Sequence, residues 1–424
     1  MNLGERFSRR ALEPSSAGLY SDHVRPSFSS RLSWPAPDNE LARARVQARA
    51  SGLGLIEFSE SNPTRVGLPA LGLDFLLDSE NLRYTPDPHG LTRAREALAA
   101  DYALRGLSVA PHELFLCAST SEAYGWLFKL LCDPGDAVLV PKPGYPLFDY
   151  LAGLESVEPR PYRLEYAHPS GWRIDLDSLR AALEAGKAKA VVLINPNNPT
   201  GSYVRGAERA SIVDLCNRYG CAIIADEVFF GFPVEPREGP GERCSFVGER
   251  GALCFVLDGL SKRLGMPQMK LGWIAASGPA PELVEAEGRL EIIADTYLSA
   301  GTPIMNALPL LLESAPRFAE ALSARLRSNL GRLRSILEGP DSPHRVLTCE
   351  GGWTAIIESP RLLPEEELAL GLVREASLFS YPGYFFDMER EAFFTAGLIL
   401  EPETLEEGAR SYRAYFDKLM NAER

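Results

Sequence analysis

Residues 190–230 read AVVLINPNNPTGSYVRGAERASIVDLCNRYGCAIIADEVFF, and this stretch decides the fold. Two continuous apolar runs, AVVLI and AIIA, flank a helix-like segment, ERASIVDLCNRYG. Each run is too short for a buried helix and is bounded by Asn, Pro, Gly or Asp. Strands covered on both faces read this way. A strand, a helix and a second such strand make a crossover unit, which places the two strands parallel in one sheet. The same pattern extends outward. AVLVP (137–141), CFVLDG (254–259) and LGWIAAS (271–277) are further runs of this kind. LTRAREALAADYAL (91–104) and SEAYGWLFKLL (121–131) suit helices. In the second, Ala123, Trp126, Leu127, Leu130 and Leu131 share one face.

The alternation holds from about Tyr84 to Ile304 and then stops. A long helical stretch (309–339) precedes short strands around GGWTAIIES (351–359) and AFFTAGLIL (392–400). Near the N-terminus, NELARARVQARAS (39–51) suits a helix, and LIEFSESNPTRVGL (55–68) reads as a strand entering a Pro-containing loop. The expected fold class is α/β: a large domain with a mostly parallel central sheet flanked by helices, plus a smaller α+β domain. The expected division is a Ser-, Arg- and Pro-rich arm at 1–35, a small domain from 36–75 with 306–424, and a large domain at 76–305.

Bulk composition narrows the function classes. The 424 residues are 45% hydrophobic and 24% charged, with a formal net charge of −13. So acidic a chain is unsuited to nonspecific binding of nucleic acid or anionic membrane. No signal peptide and no membrane-spanning apolar run is visible. Seven scattered cysteines, an odd number, read as reduced residues of a cytoplasmic protein. The histidines and cysteines lack metal-ligand spacing, so no metal site is expected.

Ligand chemistry in such sheets lies beyond the carboxyl ends of the strands. Four such ends carry polar residues. Ser119, Thr120 and Ser121 precede an amphipathic helix, where hydroxyls and free N–H groups suit phosphate. Asn198 lies in the rigid NPNNPTG loop, Asp226 ends CAIIAD, and Lys262 follows CFVLDG in GLSKRLG. Each alone has an ordinary alternative: an N-cap, turn chemistry, a strand-end carboxylate, a solvated lysine.

The set in this order resembles the aspartate-aminotransferase superfamily, the fold type I class I/II enzymes that use pyridoxal phosphate (PLP). The motifs are DPGD and PGYP (133–146), NPNNPTG (195–201), DEVFF (226–230) and SKRLGMPQMKLGW (261–273). The resemblance covers about Ser59 to Trp353 well and the C-terminal portion loosely. It implies that Lys262 holds PLP as a Schiff base and then moves a proton, and that Asp226 pairs with the pyridine nitrogen, making the ring an electron sink. It implies that Asn198 donates to the ring oxygen, that Tyr145 stacks on the ring, and that Ser119, Thr120, Ser121, Ser261 and Lys270 hold the phosphate. Tyr84 would reach the phosphate of a neighbouring subunit, implying a homodimer with shared sites. The implied reaction moves an amino group between an amino acid and a 2-oxo acid.

Three departures from the family pattern stand out. Phe229 replaces the usual tyrosine that donates to the ring oxygen. Lys270 replaces a phosphate-binding arginine and lacks its bidentate fork. The arginine that clamps the substrate carboxylate is absent: Thr395 or Ala396 falls at its position, leaving Arg65 as a candidate donor. Trp353 is a candidate pocket wall. These departures keep open another reaction on the same scaffold, a β/γ-lyase or an oxidase-like one. A PLP-sensing regulatory protein is disfavoured by the acidic charge and short N-terminal segment.

Overall fold

The structure, a computed structural model, describes residues 29–31, 39–52, 54–69, 72–235, 239 and 241–422. The expected arm at 1–35 therefore lies outside the described residues except for 29–31. An eight-stranded mixed sheet is built from β2 (Leu114–Cys117), β3 (Ala137–Lys142), β4 (Glu158–Ala167), β5 (Gly171–Ile174), β6 (Ala188–Ile194), β7 (Ala222–Asp226), β8 (Cys254–Gly259) and β9 (Gly272–Ser277). Its order is β2-β9-β8-β7-β6-β3-β4-β5. The run β8-β7-β6-β3-β4 is parallel throughout, while β9 is antiparallel to both neighbours and β5 to β4.

Alternate residues of the central strands enter two different cores. Val191, Leu193, Ile223, Ala225, Cys254 and Val256 face one, and Val192, Ile194, Ile224, Phe255 and Leu257 face the other. Both faces are thus covered, which explains continuous apolar runs instead of alternation. The helix Gly206–Tyr219 crosses between β6 and β7 and ends at Gly220, whose φ of 65° closes the turn at no steric cost. The helix Thr120–Leu131 packs on the second core through Ala123, Tyr124, Trp126, Leu127 and Phe128.

Two features were not legible in the residue pattern. β9 has the same apolar make-up as its parallel neighbours, because burial on both faces does not record strand direction. The hairpin β4/β5 lies at the sheet edge. Its sequence EPRPYRLEYA carries two prolines and mixed burial, as an edge strand can.

The rest of the chain adds β1 (Ile56–Glu57), parallel to β12 (Leu378–Phe379), and an antiparallel sheet of β10 (Arg345–Val346), β11 (Thr354–Glu358) and β13 (Phe393–Gly397). A 36-residue helix, Thr302–Leu337, leads into it despite Pro309 and Pro316. The helix Glu40–Ala50 starts at Asn39, whose side chain accepts from Ala42 N–H at 2.9 Å.

Register positions the site. Ile194 lies opposite Asp226, and Asp226 opposite Leu257. The segments leaving β6, β7 and β8 therefore emerge side by side. At the other flank, Gly272 opens β9 between Cys117 of β2 and Gly259 of β8. The segments bearing Ser119 and Lys262 thus meet at one sheet edge.

Candidate active site

The loop after β6 sorts its three asparagines. Asn195 is buried; its Nδ2 donates to Glu227 Oε1 (3.2 Å) and to the Cys244 carbonyl (2.8 Å), and its Oδ1 accepts from Val204 N–H. Asn197 is buried, donating to the Pro143 carbonyl (3.1 Å) and Thr200 Oγ1 (3.0 Å). Asn198 is only half-buried, and no described residue hydrogen-bonds its side chain. Two amides fix the loop, and the third is available to a ligand.

Asp226 ends β7. Its Oδ1 accepts from Val228 N–H (3.3 Å) and its Oδ2 from the Tyr124 hydroxyl (3.2 Å). Burial pushes its carboxyl up to about 6, against those two hydrogen bonds and the Lys262 charge; Asp258 adds to the rise. Lys262 sits on the short helix Leu260–Arg263. Its Nζ lies 5.0 Å from the Trp353 ring centre and 5.4 Å from that of Phe229. Burial pulls its amine down to about 8, opposed by Asp226. The next residue anchors this helix: Arg263 pairs with Asp101 at 2.5 Å and with Asp258 at 3.4 Å.

Ser119 caps the helix Thr120–Leu131, its Oγ accepting from Glu122 N–H at 3.2 Å. Thr120 and Ser121 form the first turn, whose amides have no intrahelical partner. A Cβ on Gly272 would lie 3.1 Å from Ser119 C and 3.2 Å from Thr120 N, so any larger residue would have to push this turn back by a few tenths of an ångström. Tyr145 is half-buried; burial, with Asp226 nearby, pushes its phenol up to about 12. Phe229 meets Trp353 edge-on at 5.3 Å. Trp353 is 2% exposed and its indole N–H is buried without a partner. It shares a small pocket with Asn197, Asn198, Pro199, Phe229, Gly351, Gly352 and Thr354.

Register and contacts thus bring together Ser119, Thr120, Ser121, Asn198, Asp226, Phe229, Lys262 and Trp353, with Tyr145 beside Asp226. Ser261 is half-buried next to Lys262. Lys270 is exposed, with φ of 54°, and its charge reaches Cys117 just before the Ser119 turn. Tyr84 stands apart at 68% exposed. Thr395 is buried in β13; its Oγ1 lies 2.9 Å from Ser59 Oγ and 3.3 Å from the Tyr381 carbonyl. Its hydroxyl joins the Ser59 and Tyr381 segments, and among the described residues no cationic group stands at this position. Arg65 is exposed and pairs loosely with Glu60 at 3.8 Å. Tyr124, bonded to Asp226, escaped the residue pattern because an aromatic in an amphipathic helix reads as core.

The donor set fits PLP: a helix start for phosphate, a carboxylate for a ring nitrogen, a free amide, aromatic faces and a lysine of lowered basicity. A parallel-centred α/β sheet with these groups at its carboxyl edge defines a PLP-binding enzyme fold. The model of the family "Aminotransferase class I and II" matches residues 57–409. The chain belongs to this family, whose members are PLP-dependent aminotransferases. It is 29% identical over 338 residues to a probable aminotransferase, TAT2, of Arabidopsis thaliana, covering 76% of this chain and 78% of that protein. It is 30% identical over 251 residues to the S-alkyl-thiohydroximate lyase SUR1 of the same plant, covering 58% of this chain and 52% of that one. In fold it is similar to an alanine aminotransferase from Pyrococcus furiosus, with TM-score 0.80 and 22% identity over 89% of this chain and 96% of that one.

Proposed function

We propose that this aminotransferase moves an amino group between an amino acid and a 2-oxo acid, with Lys262 as cofactor anchor and proton carrier. The observation that carries the reading is the convergence of Lys262, Asp226 and Asn198 beyond adjacent strand ends. When bound, PLP supplies an electron sink for negative charge developing at the substrate Cα. Lys262 Nζ, its basicity lowered to about 8, takes and returns the Cα proton through its neutral form. Asp226 holds a proton at the ring nitrogen, and Asn198 donates to the ring oxygen. Ser119, Thr120 and Ser121 receive the phosphate with Ser261 and Lys270, and Tyr145 covers the ring. The substrate carboxylate meets no free guanidinium of the Thr395 segment and is received by neutral donors or Arg65.

A panel of amino acids scored by cofactor absorbance tests the reading. Amino donors should bleach the visible band and a 2-oxo acid restore it. No response to any α-amino acid contradicts it. A lyase reaction is the second reading, favoured by the likeness to SUR1 and by Phe229. It would release ammonia without that reversible bleaching.

A homodimer is supported by an exposed apolar surface. Leu77, Leu82, Tyr84 and Leu298 lie on segments joined by Ser299 Oγ to Asp87 and by Asn306 Nδ2 to Asn81 Oδ1. Tyr84 on this face would serve the neighbouring site. A cytoplasmic location and a small domain of 36–75 with 306–424 complete the proposal.

A further inference from the structure

We propose that Tyr124 is a positioning residue: its hydroxyl keeps Asp226 ionised to face a ring nitrogen, and ties that carboxylate to the helix that receives phosphate. The inference rests on the cofactor reading above. Tyr124 is 3% exposed and donates to Asp226 Oδ2 at 3.2 Å. No other described residue receives its hydroxyl. Its ring is held edge-on by Phe148, with centres 5.1 Å apart, and tilted against Phe128 at 5.9 Å. A hydroxyl on so fixed a ring has little freedom to turn elsewhere. One helix therefore begins at the Ser119 cap and, one turn on, holds the carboxylate expected to face the ring.

The chemistry gives the contact a direction. An ionised carboxylate accepts; a protonated one uses an oxygen to hold its own proton. Hydrogen bonds from Tyr124 and Val228 N–H therefore favour the ionised form. Other groups facing Asp226 are Lys262, which favours ionisation, and Asp258, which opposes it. The Tyr145 phenol also faces it. Burial drives the Tyr124 phenol well above its ordinary range, so it remains a donor throughout. Burial would otherwise protonate Asp226 near neutrality; the hydroxyl counters this.

The test is the pH profile of PLP dissociation from apoprotein, read by equilibrium binding. If ionised Asp226 is needed, affinity falls as pH drops through its titration, near 6 in the unaltered chain. The ligand's own titrations are common to all variants, so differences isolate Asp226. Tyr124→Phe should move the midpoint up by about one pH unit, a roughly tenfold weaker acid, with affinity at high pH little changed. Replacing Tyr124 by 3-fluorotyrosine, an isosteric and stronger donor, should move it down, and covers the case in which Tyr124→Phe fails to fold. In an Asp226→Asn background neither change should alter the profile. A midpoint that stays in place in a folded variant, or an equal loss of affinity at every pH, overturns the role of Tyr124 alone. No PLP binding by the unaltered apoprotein would overturn the cofactor reading and this inference with it.

Discussion

At Lys262 two effects compete, and their sizes decide the outcome. Two aromatic faces about 5 Å from Nζ favour a cation, by roughly 0.5–2 kcal/mol each at most. Burial acts the other way, and the net result is an amine lowered to about 8. Because the neutral amine is the nucleophile, reaction of the apoprotein with a small aldehyde should rise with pH through a midpoint near 8. A midpoint near 10.5, the ordinary lysine value, would mean that Nζ is solvated. Phe229 offers a second check. Phe229→Tyr adds a phenol donor near the expected ring oxygen, so the visible titration of bound PLP should move to lower pH. An unchanged or higher midpoint would place Phe229 away from that oxygen. Lys262, Asp226 and Asn198 could be singled out in the sequence because each follows its own apolar run and the set has one order. Tyr124 could not, since only a tertiary contact distinguishes it from a core aromatic.

Among the elements, the start of β9 holds the site's two flanks together. Gly272→Ala would press a methyl into the backbone of Ser119 and Thr120, which cannot yield as a side chain can. The expected cost is about 1–3 kcal/mol, seen as a lower melting temperature. PLP affinity should fall beyond what the lost stability explains, because the Ser119 turn is displaced. Unchanged affinity would detach this turn from the phosphate. The loop after β6 is held by Asn195, and Asn195→Ala removes two donors and an acceptor from buried partners. That change should cost about 1–3 kcal/mol in denaturant unfolding. The parallel centre of the sheet was legible because a helical segment separates successive unbroken apolar runs, as a crossover between parallel strands does. The antiparallel course of β9 was not, since hydrogen-bond direction leaves no mark on such a run. The NPNNPTG loop was legible as a rigid turn, but not which asparagine it leaves free.

At the scale of the whole molecule, large apolar side chains stand exposed among the described residues, with Leu77 at 86% and Leu82 at 89%. Neighbouring copies covering this face would bury it at roughly 25 cal/mol per Å². Leu82→Glu should therefore convert the proposed dimer to single chains in sedimentation and lower activity with it; a dimer that survives would move the interface elsewhere. The proposed two-part division of the chain rests on where alternation of strand and helix stops near Ile304. The pairing of β1 with β12 joins segments more than 300 residues apart and has no local signature. The parts converge on Lys262, and borohydride reduction of the PLP-loaded protein followed by peptide mass analysis tests that most directly. The reduced cofactor should be found on the peptide containing Lys262 and should be lost in Lys262→Ala. Cofactor on another lysine, or loaded protein that cannot be trapped, would contradict the assignment.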